Sequence, residues 1–319
     1  MAGHTGPVRV TLIVNPFASS VSHRTRVIIQ QMLGAAHELT VIETTKGGHA
    51  IRLAHRAGRA GADVVVALGG DGTINEVANG LLDDDRGDHR TAIVPLPGGS
   101  TNVFARSLGF PNNPVDAAEM LVDALEAGST IDAGVGLANG RAFLFHVGAG
   151  FDAAVVDQVE RRSTLKRYAG HPLFVAATIG TWLRGVDRKN PWFTVDLDDG
   201  RRTDGAQLAI ALNCNPYTYL GSRPLDLAPE ATLTTPLSIV ALRSLSGPRL
   251  ASAAIQALRS TTGIPHGAST CHWSDVTGAT LRGYRPFPYQ LDGEFLSPVP
   301  ELRIEHQAAS VRLVVPRVS

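Results

Sequence analysis

Ala67-Leu68-Gly69-Gly70-Asp71-Gly72-Thr73-Ile74-Asn75-Glu76-Val77 is the stretch on which the reading of this chain turns. Asp63-Val64-Val65-Val66-Ala67-Leu68 runs into it, apolar and β-branched almost throughout, like a strand buried on both faces. Beyond it Ile74, Val77, Ala78 and Leu81 recur at helical spacing. Between strand and helix lie Gly69, Gly70 and Gly72, then Thr73, a helix-capping residue type. Such a turn lets backbone N–H groups converge at the positive end of a helix, which suits a phosphate. A plain tight turn would use the same glycines. Asp71 favours the first reading: a carboxylate among phosphate-cradling amides repels the phosphate unless a metal or a donated proton intervenes, which suggests Mg²⁺–nucleotide chemistry. No GxxxxGK[ST] occurs in the chain, so the Walker-type alternative is absent.

Working outward, Arg9 to Val14 reads as a strand ending at Asn15-Pro16, because proline cannot continue a central strand. Ser19, Ser20 and Ser22 precede a helix carrying Val27, Ile28, Gln31 and Met32. Glu38 to Glu43 is a second strand, followed by the Thr44-Thr45-Lys46-Gly47-Gly48 turn, and His49 is expected to pack along the next helix. Asp83 to Arg90 is a charged surface connection. Thr91 to Val94 is a fourth strand, giving way to Pro95-Leu96-Pro97-Gly98-Gly99-Ser100-Thr101-Asn102. Strand–helix alternation repeated in this way predicts a parallel, doubly wound α/β sheet, whose ligands bind at the carboxyl ends of the strands. Asn15, Thr45, Gly69 to Thr73 and Ser100 each follow such an end. Four turns meeting on one edge weigh more than any single motif.

The pattern changes near Ser129. Thr130 to Gly136 and Arg141 to Val147 flank an Asn139-Gly140 hairpin signal. Short strands then dominate: 192–197, 207–213, 237–242, 279–282, 289–292, 301–305 and 311–315. The expected organisation is a nucleotide-binding α/β domain over residues 1–130 and a mainly antiparallel β domain over 131–299, with the active site in the cleft between them.

At 319 residues and 44% hydrophobic content the chain can bury two cores. Twenty-nine basic residues balance twenty-nine acidic ones, which argues against a nucleic-acid binder working by bulk charge. Cys214 and Cys271 are far apart and in no metal-ligand spacing, so they read as reduced thiols. No leader is visible, and the longest apolar stretch, Leu173 to Leu183, is too short to span a bilayer. A cytoplasmic protein with peripheral contact at the inner face of the membrane is expected.

Three further segments carry rival readings. Gly148-Ala149-Gly150-Phe151-Asp152-Ala153 matches the GxGxxA dinucleotide fingerprint but lacks the acidic residue expected about twenty positions on, so it is assigned to structure. Arg161, Arg162, Lys166 and Arg167 precede an apolar, aromatic helix, either a solvated face or a dock for anionic lipid. Gln290-Leu291-Asp292-Gly293-Glu294 is either a hairpin turn or an acidic site; strand alternation would put Asp292 and Glu294 on one side.

The glycine stretch, extended through Asn79-Gly80-Leu81, resembles the signature loop of the diacylglycerol kinase catalytic-domain family of lipid kinases, which includes bacterial diacylglycerol kinases and is related to sphingosine kinases. Asn15-Pro16, the Thr44-Thr45 turn, the Pro97-to-Arg106 segment and the late Asp292-Gly293-Glu294 resemble that family's other motifs, so the resemblance covers the whole chain. It implies ATP- and Mg²⁺-dependent transfer of the γ-phosphate to a lipid hydroxyl, with diacylglycerol as the first choice of acceptor. A sphingoid base, ceramide or NAD is the alternative acceptor, and a non-catalytic lipid-binding protein that kept the fold is the alternative class. Asn15, Pro16, Thr45, Gly69, Gly70, Asp71, Gly72, Thr73, Asn75 and Ser100 would contact the nucleotide. Asp292 would be the general base, Glu294 a metal ligand, Asp71 the residue orienting the metal's water or the acceptor hydroxyl, and Asp132 a further ligand. The resemblance also implies that the tail after about residue 300 returns to the first domain, and it leaves a homodimer open. Where relatives carry an Asp-Gly pair for a structural Mg²⁺, this chain has Thr235-Pro236, and neither can replace a hard anionic ligand; that site is expected to be absent or altered.

Overall fold

The computed structural model describes residues 7–82, 90–160, 190–259 and 263–317. The chain forms two compact units, residues 1–133 with 309–319 and residues 134–308.

The first unit alternates β1 (Arg9–Val14), α1 (His23–Ala36), β2 (Glu38–Glu43), α2 (His49–Arg59), β3 (Val64–Gly69), α3 (Asp71–Leu81) and β4 (Ala92–Pro97), then α4 (Val103–Ser107) and α5 (Pro114–Glu126). Its strands lie parallel in the order β4, β3, β1, β2. Arg312 and Leu313 pair parallel with Ala92 and Ile93 on the other side of β4. Every residue of β3 and β4 is buried, as apolar runs covered on both faces require. Leu12, Val66, Leu68, Val94 and Leu96 pack with Ile29 and Leu33 of α1 and Leu121 of α5. α2 and α3 pack closely on each other, so that a Cβ on Gly80 would stand 2.3 Å from the Ile51 carbonyl oxygen.

Two local expectations fail for physical reasons. β4 does not stop at Val94 but continues through Pro95 and Pro97, which pair with Ala67 and Gly69 of β3. On the other side of β4 the register with the returning tail covers only Ala92 and Ile93, so the two prolines lie where an edge tolerates a missing N–H. Thr73 is not the cap of α3. Gly70 is, and it provides no side-chain acceptor. α2 likewise starts at a glycine, Gly48, with φ 73°. Its first amides are met from α3 instead: Gly48 N–H and Ala50 N–H donate to the Glu76 carboxylate at 2.8 and 3.0 Å.

The second unit contains the end of β5 (Thr130–Ala138), then β6 (Arg141–Phe143), β7 (His146–Gly150), α6 (Phe151–Glu160), β8 (Phe193–Leu197), β9 (Arg202–Ala206), β10 (Leu208–Leu212), β11 (Thr218–Leu220), β12 (Arg223–Leu225), β13 (Leu237–Leu242), α7 (Gly247–Arg259), β14 (Thr270–Val276), β15 (Gly278–Leu291) and most of β16 (Glu294–Val314). The antiparallel order is β14, β13, β10, β7, β15, β16, with β8 also on β15. Ala209 and Ala211 of β10 join Phe193, Trp273, Leu281 and Phe287 on one face. Leu208, Ile210 and Leu212 join Phe151, Val155 and Ala257 on the other. Segments 279–282 and 289–292, expected as separate strands, are one strand, β15, whose register shifts between Arg282 and Phe287. The irregularity at Gly283 to Pro286 breaks the period-2 pattern and reads as a turn in sequence. Segments 301–305 and 311–315 merge in the same way into β16. β9, β11, β12 and β14 are strands beyond those the sequence pattern predicts. The basic cluster 161–167 and the apolar run 173–183 lie outside the described residues. No helix among the described residues is long and apolar enough to cross a membrane.

Removing the Glu76 carboxylate should act as loss of a helix cap. Glu76→Ala is expected to lower the unfolding free energy by about 0.5–2 kcal/mol in urea titration, and an unchanged midpoint would reject the capping role.

Candidate functional site

The carboxyl edge of the parallel sheet is built from glycines because two turns leave it side by side. β3 and β4 are neighbours in register up to Gly69 and Pro97, and the chains continue in contact. Gly98 N–H donates to the Gly69 carbonyl at 2.7 Å. A Cβ on Gly98 would lie 2.8 Å from the Gly69 Cα, and one on Gly99 would lie 2.8 Å from the Gly70 Cα. No side chain fits between these backbones. Ser20 joins the same knot, donating its N–H to Gly98 O (2.8 Å) and its hydroxyl to Gly99 O (3.2 Å).

Asn15 ties β1 into this edge. Its N–H donates to Leu68 O at 2.9 Å, its Nδ2 to the Thr73 hydroxyl at 3.0 Å, and its Oδ1 accepts from Phe17 N–H at 3.0 Å. Pro16 lies within that turn. Thr44 N–H reaches Val14 O at 2.9 Å, while Thr45 turns its N–H and hydroxyl to His49 Nδ1, both at 3.2 Å. His49 therefore closes the Thr turn rather than packing along its helix. Asn75 is buried and accepts from the Asn79 amide at 3.0 Å, so it supports α3 from inside. Ser100 is exposed and makes no hydrogen bond to the described residues. Asn102, in the left-handed region with φ 51°, locks the turn by accepting from Gly99 N–H (2.7 Å) and donating to Gly99 O (2.9 Å). The turns after β1, β2, β3 and β4 thus share one edge, joined to one another by hydrogen bonds.

Asp71 does not stand among phosphate-cradling amides. Val103 N–H and Phe104 N–H donate to its two carboxylate oxygens, each at 3.0 Å. It caps α4, whose own N-cap, Asn102, makes no side-chain cap bond. The carboxylate is compensated by a helix start, the environment in which a negative charge costs least, so no metal is needed to explain it. Gly72 is the residue left without a structural reason. It is exposed, has no positive φ, and a Cβ there would meet nothing within 4 Å. In the first turn of a helix, alanine would be favoured by about 1 kcal/mol if the fold alone decided.

Asp132 lies among arginines at the other end of the strands. It pairs with Arg90 (3.3 Å) and Arg312 (3.1 Å). Arg90 precedes β4 and Arg312 pairs with Ala92 at its amino end, whereas the glycine turns lie at the carboxyl ends. A six-residue strand separates the two edges by roughly 17–20 Å, so Asp132 is no ligand for a group held at the glycine turns.

In the second unit Asp292-Gly293 is a two-residue hairpin loop: Leu291 pairs with Glu294, and φ is 47° at Asp292 and 81° at Gly293, the geometry that favours Asp-Gly in a type I′ turn. Because the chain reverses between them, alternation does not place the two carboxylates together. Asp292 is buried and Glu294 is exposed. Leu144 N–H donates to Asp292 Oδ2 at 2.7 Å, and Phe145 and His146 N–H to Oδ1 at 3.0 and 3.1 Å. Three of the roughly four lone-pair positions of a carboxylate are then occupied by amides, which makes Asp292 an anchor of the hairpin. Glu294 forms an ion pair with Arg141. Thr235 spends its hydroxyl on its own turn, accepting from Thr232 N–H (3.1 Å) and donating to Thr232 O (3.0 Å).

The described residues offer no preformed cage for a resident metal. Asp71 is taken by two amides, Asp132 by two guanidinium groups and Glu294 by one, and among the described residues no cluster of three His, Cys, Asp or Glu is placed to hold an ion. Glu76 and the Asp292 anchor were missed by sequence reasoning; a glycine at a helix N-cap, with no side-chain acceptor of its own, was the available signal for Glu76.

A family model described as the diacylglycerol kinase catalytic domain matches residues 9–134. A protein of Chromohalobacter salexigens named probable lipid kinase YegS-like is 33% identical over 184 residues, 54% of this chain and 57% of that one. The diacylglycerol kinase of Bacillus subtilis strain 168 is 34% identical over 150 residues, 44% of this chain and 46% of that one. The chain therefore spans about half the length of these curated relatives. The crystal structure of a provisionally assigned diacylglycerol kinase from Bacillus anthracis strain Sterne superposes with a TM-score of 0.78 at 23% identity, covering 98% of this chain and 97% of that one. That likeness concerns the fold.

The anchor role has a stability signature. Asp292→Asn would turn an amide N–H₂ toward backbone donors, and unsatisfied buried groups of this kind cost about 1–3 kcal/mol. Thermal unfolding should show the loss; a variant as stable as the parent but inactive would return Asp292 to the role of general base.

Proposed function

We propose that this chain, whose residues 9–134 match the diacylglycerol kinase catalytic-domain model, is a lipid kinase that transfers the γ-phosphate of ATP to a lipid hydroxyl, with diacylglycerol as the acceptor. The observation that carries the nucleotide reading is the start of α3: a helix N-terminus without a side-chain cap, and Gly72 facing open space beside it. A helix start that no side chain caps, together with the helix dipole, favours a phosphate. The absence of a Cβ at residue 72 lets phosphate oxygens come to the backbone.

Phosphoryl transfer asks the protein mainly for positioning and charge stabilisation. On this reading α3 and the turns at Asn15, Gly98 and Ser100 hold the triphosphate, and Ser100 offers an exposed hydroxyl. Asp71 acts indirectly, by fixing α4 against α3. Glu294, exposed on the hairpin and ion-paired to Arg141, is the carboxylate proposed to take the acceptor proton, a role that requires that pair to open. No protein ligand is assigned to Mg²⁺, which phosphate oxygens and water can largely hold. Membrane contact follows from the acceptor being a lipid.

Incubation with γ-labelled ATP and a panel of diacylglycerol, sphingosine, ceramide and NAD tests the proposal: label in phosphatidic acid is expected, label in another product reassigns the acceptor, and no transfer rejects the kinase. Gly72→Ala should weaken ATP binding at least tenfold by calorimetry while leaving thermal stability equal or higher, since alanine is the better helix former by about 1 kcal/mol. Glu294→Gln should keep ATP binding and lower kcat by about 10²–10⁴-fold.

A further inference from the structure

Behind the Asp292-Gly293 hairpin runs a buried chain of polar side chains, from Gln290 on the hairpin strand to Asp152 of α6 and Tyr217 before β11, that the nucleotide reading does not use. The Tyr217 hydroxyl meets Asp152 Oδ1 at 2.5 Å, Gln290 Nε2 donates to Asp152 Oδ2 at 2.8 Å, and Gly293 N–H donates to Gln290 Oε1 at 2.8 Å. Asp152 and Tyr217 are 6% exposed and Gln290 is fully buried. A buried carboxylate held by a hydroxyl and an amide, both neutral, is costly unless its hydrogen bonds specify something. Burial pushes the Asp152 carboxyl above the usual carboxylate range, opposed by the bonds from Tyr217 and Gln290.

The direction of the chain is forced from the hairpin end. A backbone N–H can only donate, so Gly293 holds the Gln290 oxygen toward itself, which turns the Gln290 amide nitrogen toward Asp152. Asp152 must then accept, and Tyr217 closes the far end. Room for this comes from Gly148, which lies opposite Gln290 in the β7–β15 ladder. A Cβ on Gly148 would stand 1.7 Å from Asp152 Oδ2 and 2.7 Å from Gln290 Nε2. That is a physical reason for the first glycine of the Gly148-to-Ala153 motif that needs no dinucleotide. The His146 ring lies tilted against Tyr217 with ring centroids 4.5 Å apart, and burial holds its pKa down to about 3, so a neutral ring packs beside the chain.

We propose that Tyr217, Asp152 and Gln290 form a positioning relay that fixes the Gly293 amide and hence the direction in which the hairpin presents Glu294. None of the three would be a catalytic residue; they act through the turn. The proposal rests on Glu294 serving the phosphoryl transfer described above, but the relay itself has a readout that needs no activity.

The test uses the full chain with Gln290→Leu, Asp152→Leu, Tyr217→Phe and, as the conservative control, Asp152→Asn. The side-chain amide introduced by Asp152→Asn can still accept from Gln290 through its oxygen and donate to Tyr217 through its nitrogen, so the geometry survives without the charge. Amide hydrogen exchange should show Gly293 exchanging about tenfold or more faster in Gln290→Leu and in Asp152→Leu, at parental rates in Asp152→Asn, with amides of β3 and β4 unchanged. Kinetically, kcat should fall by about 10²-fold in Gln290→Leu, as expected for a misplaced group, with the KM for ATP and for lipid held within about twofold and Asp152→Asn restoring most of the rate. If Asp152→Leu does not fold, Gln290→Leu and Tyr217→Phe decide the matter. Parental exchange at Gly293 in Gln290→Leu, or Asp152→Asn as damaging as Asp152→Leu, overturns the relay. Altered exchange with no lipid phosphorylation even by the parent protein keeps the relay and rejects the kinase reading instead.

Discussion

The first unit depends on backbone lying against backbone where Gly69-Gly70 and Gly98-Gly99 leave adjacent parallel strands. Atoms at van der Waals distance leave no volume for a Cβ, so the two turns can run together only if both lack side chains. That contact sets the spacing of α3 and α4, and the spacing lets Asp71 reach the Val103 and Phe104 amides. A side chain at Gly98 or Gly99 would push the turns apart and uncap α4 at the same time.

A second regularity is what the acidic residues do. Asp71 and Asp292 look catalytic in sequence because carboxylates beside glycines are the usual signature of phosphoryl chemistry, while Glu76 carries no such signal. In the structure each is bound to backbone amides that would otherwise lack partners: the start of α4, the start of α2, and residues 144–146. Helix starts and tight loops are rich in unmet N–H groups, and a fold with glycine-capped helices must find acceptors from elsewhere in the chain. The acids supply them. What is then left open at the edge is not a carboxylate but an uncapped helix start and the bare face of Gly72.

The second unit shows the same economy in its interior. Its hairpin is gripped at Asp292 through three amides and at Gly293 through Gln290. Two independent grips on a two-residue loop leave it little freedom, which is more than a surface turn requires and is consistent with a loop that must hold one orientation.

The parallel α/β half was legible from sequence because buried parallel strands read as unbroken β-branched runs and the helices as 3.6-residue repeats, both local signals. β1 and β2 match the sequence pattern to the residue, and the gathering of Asn15, Thr45, Gly69 to Thr73 and Ser100 on one edge follows from strand–helix alternation, which makes the strands parallel. Bulges hid the continuity of β15, and an edge position let prolines sit inside β4, since neither depends on nearby sequence. The partners of Asp71, Glu76, Asp132 and Asp292 were invisible for the same reason. Each lies 26 to 180 residues away in the chain. Periodicity reports which face of an element is buried; only the folded chain decides which distant amide or guanidinium a given carboxylate meets, and that meeting determines whether the charge is available for chemistry or already committed to the fold.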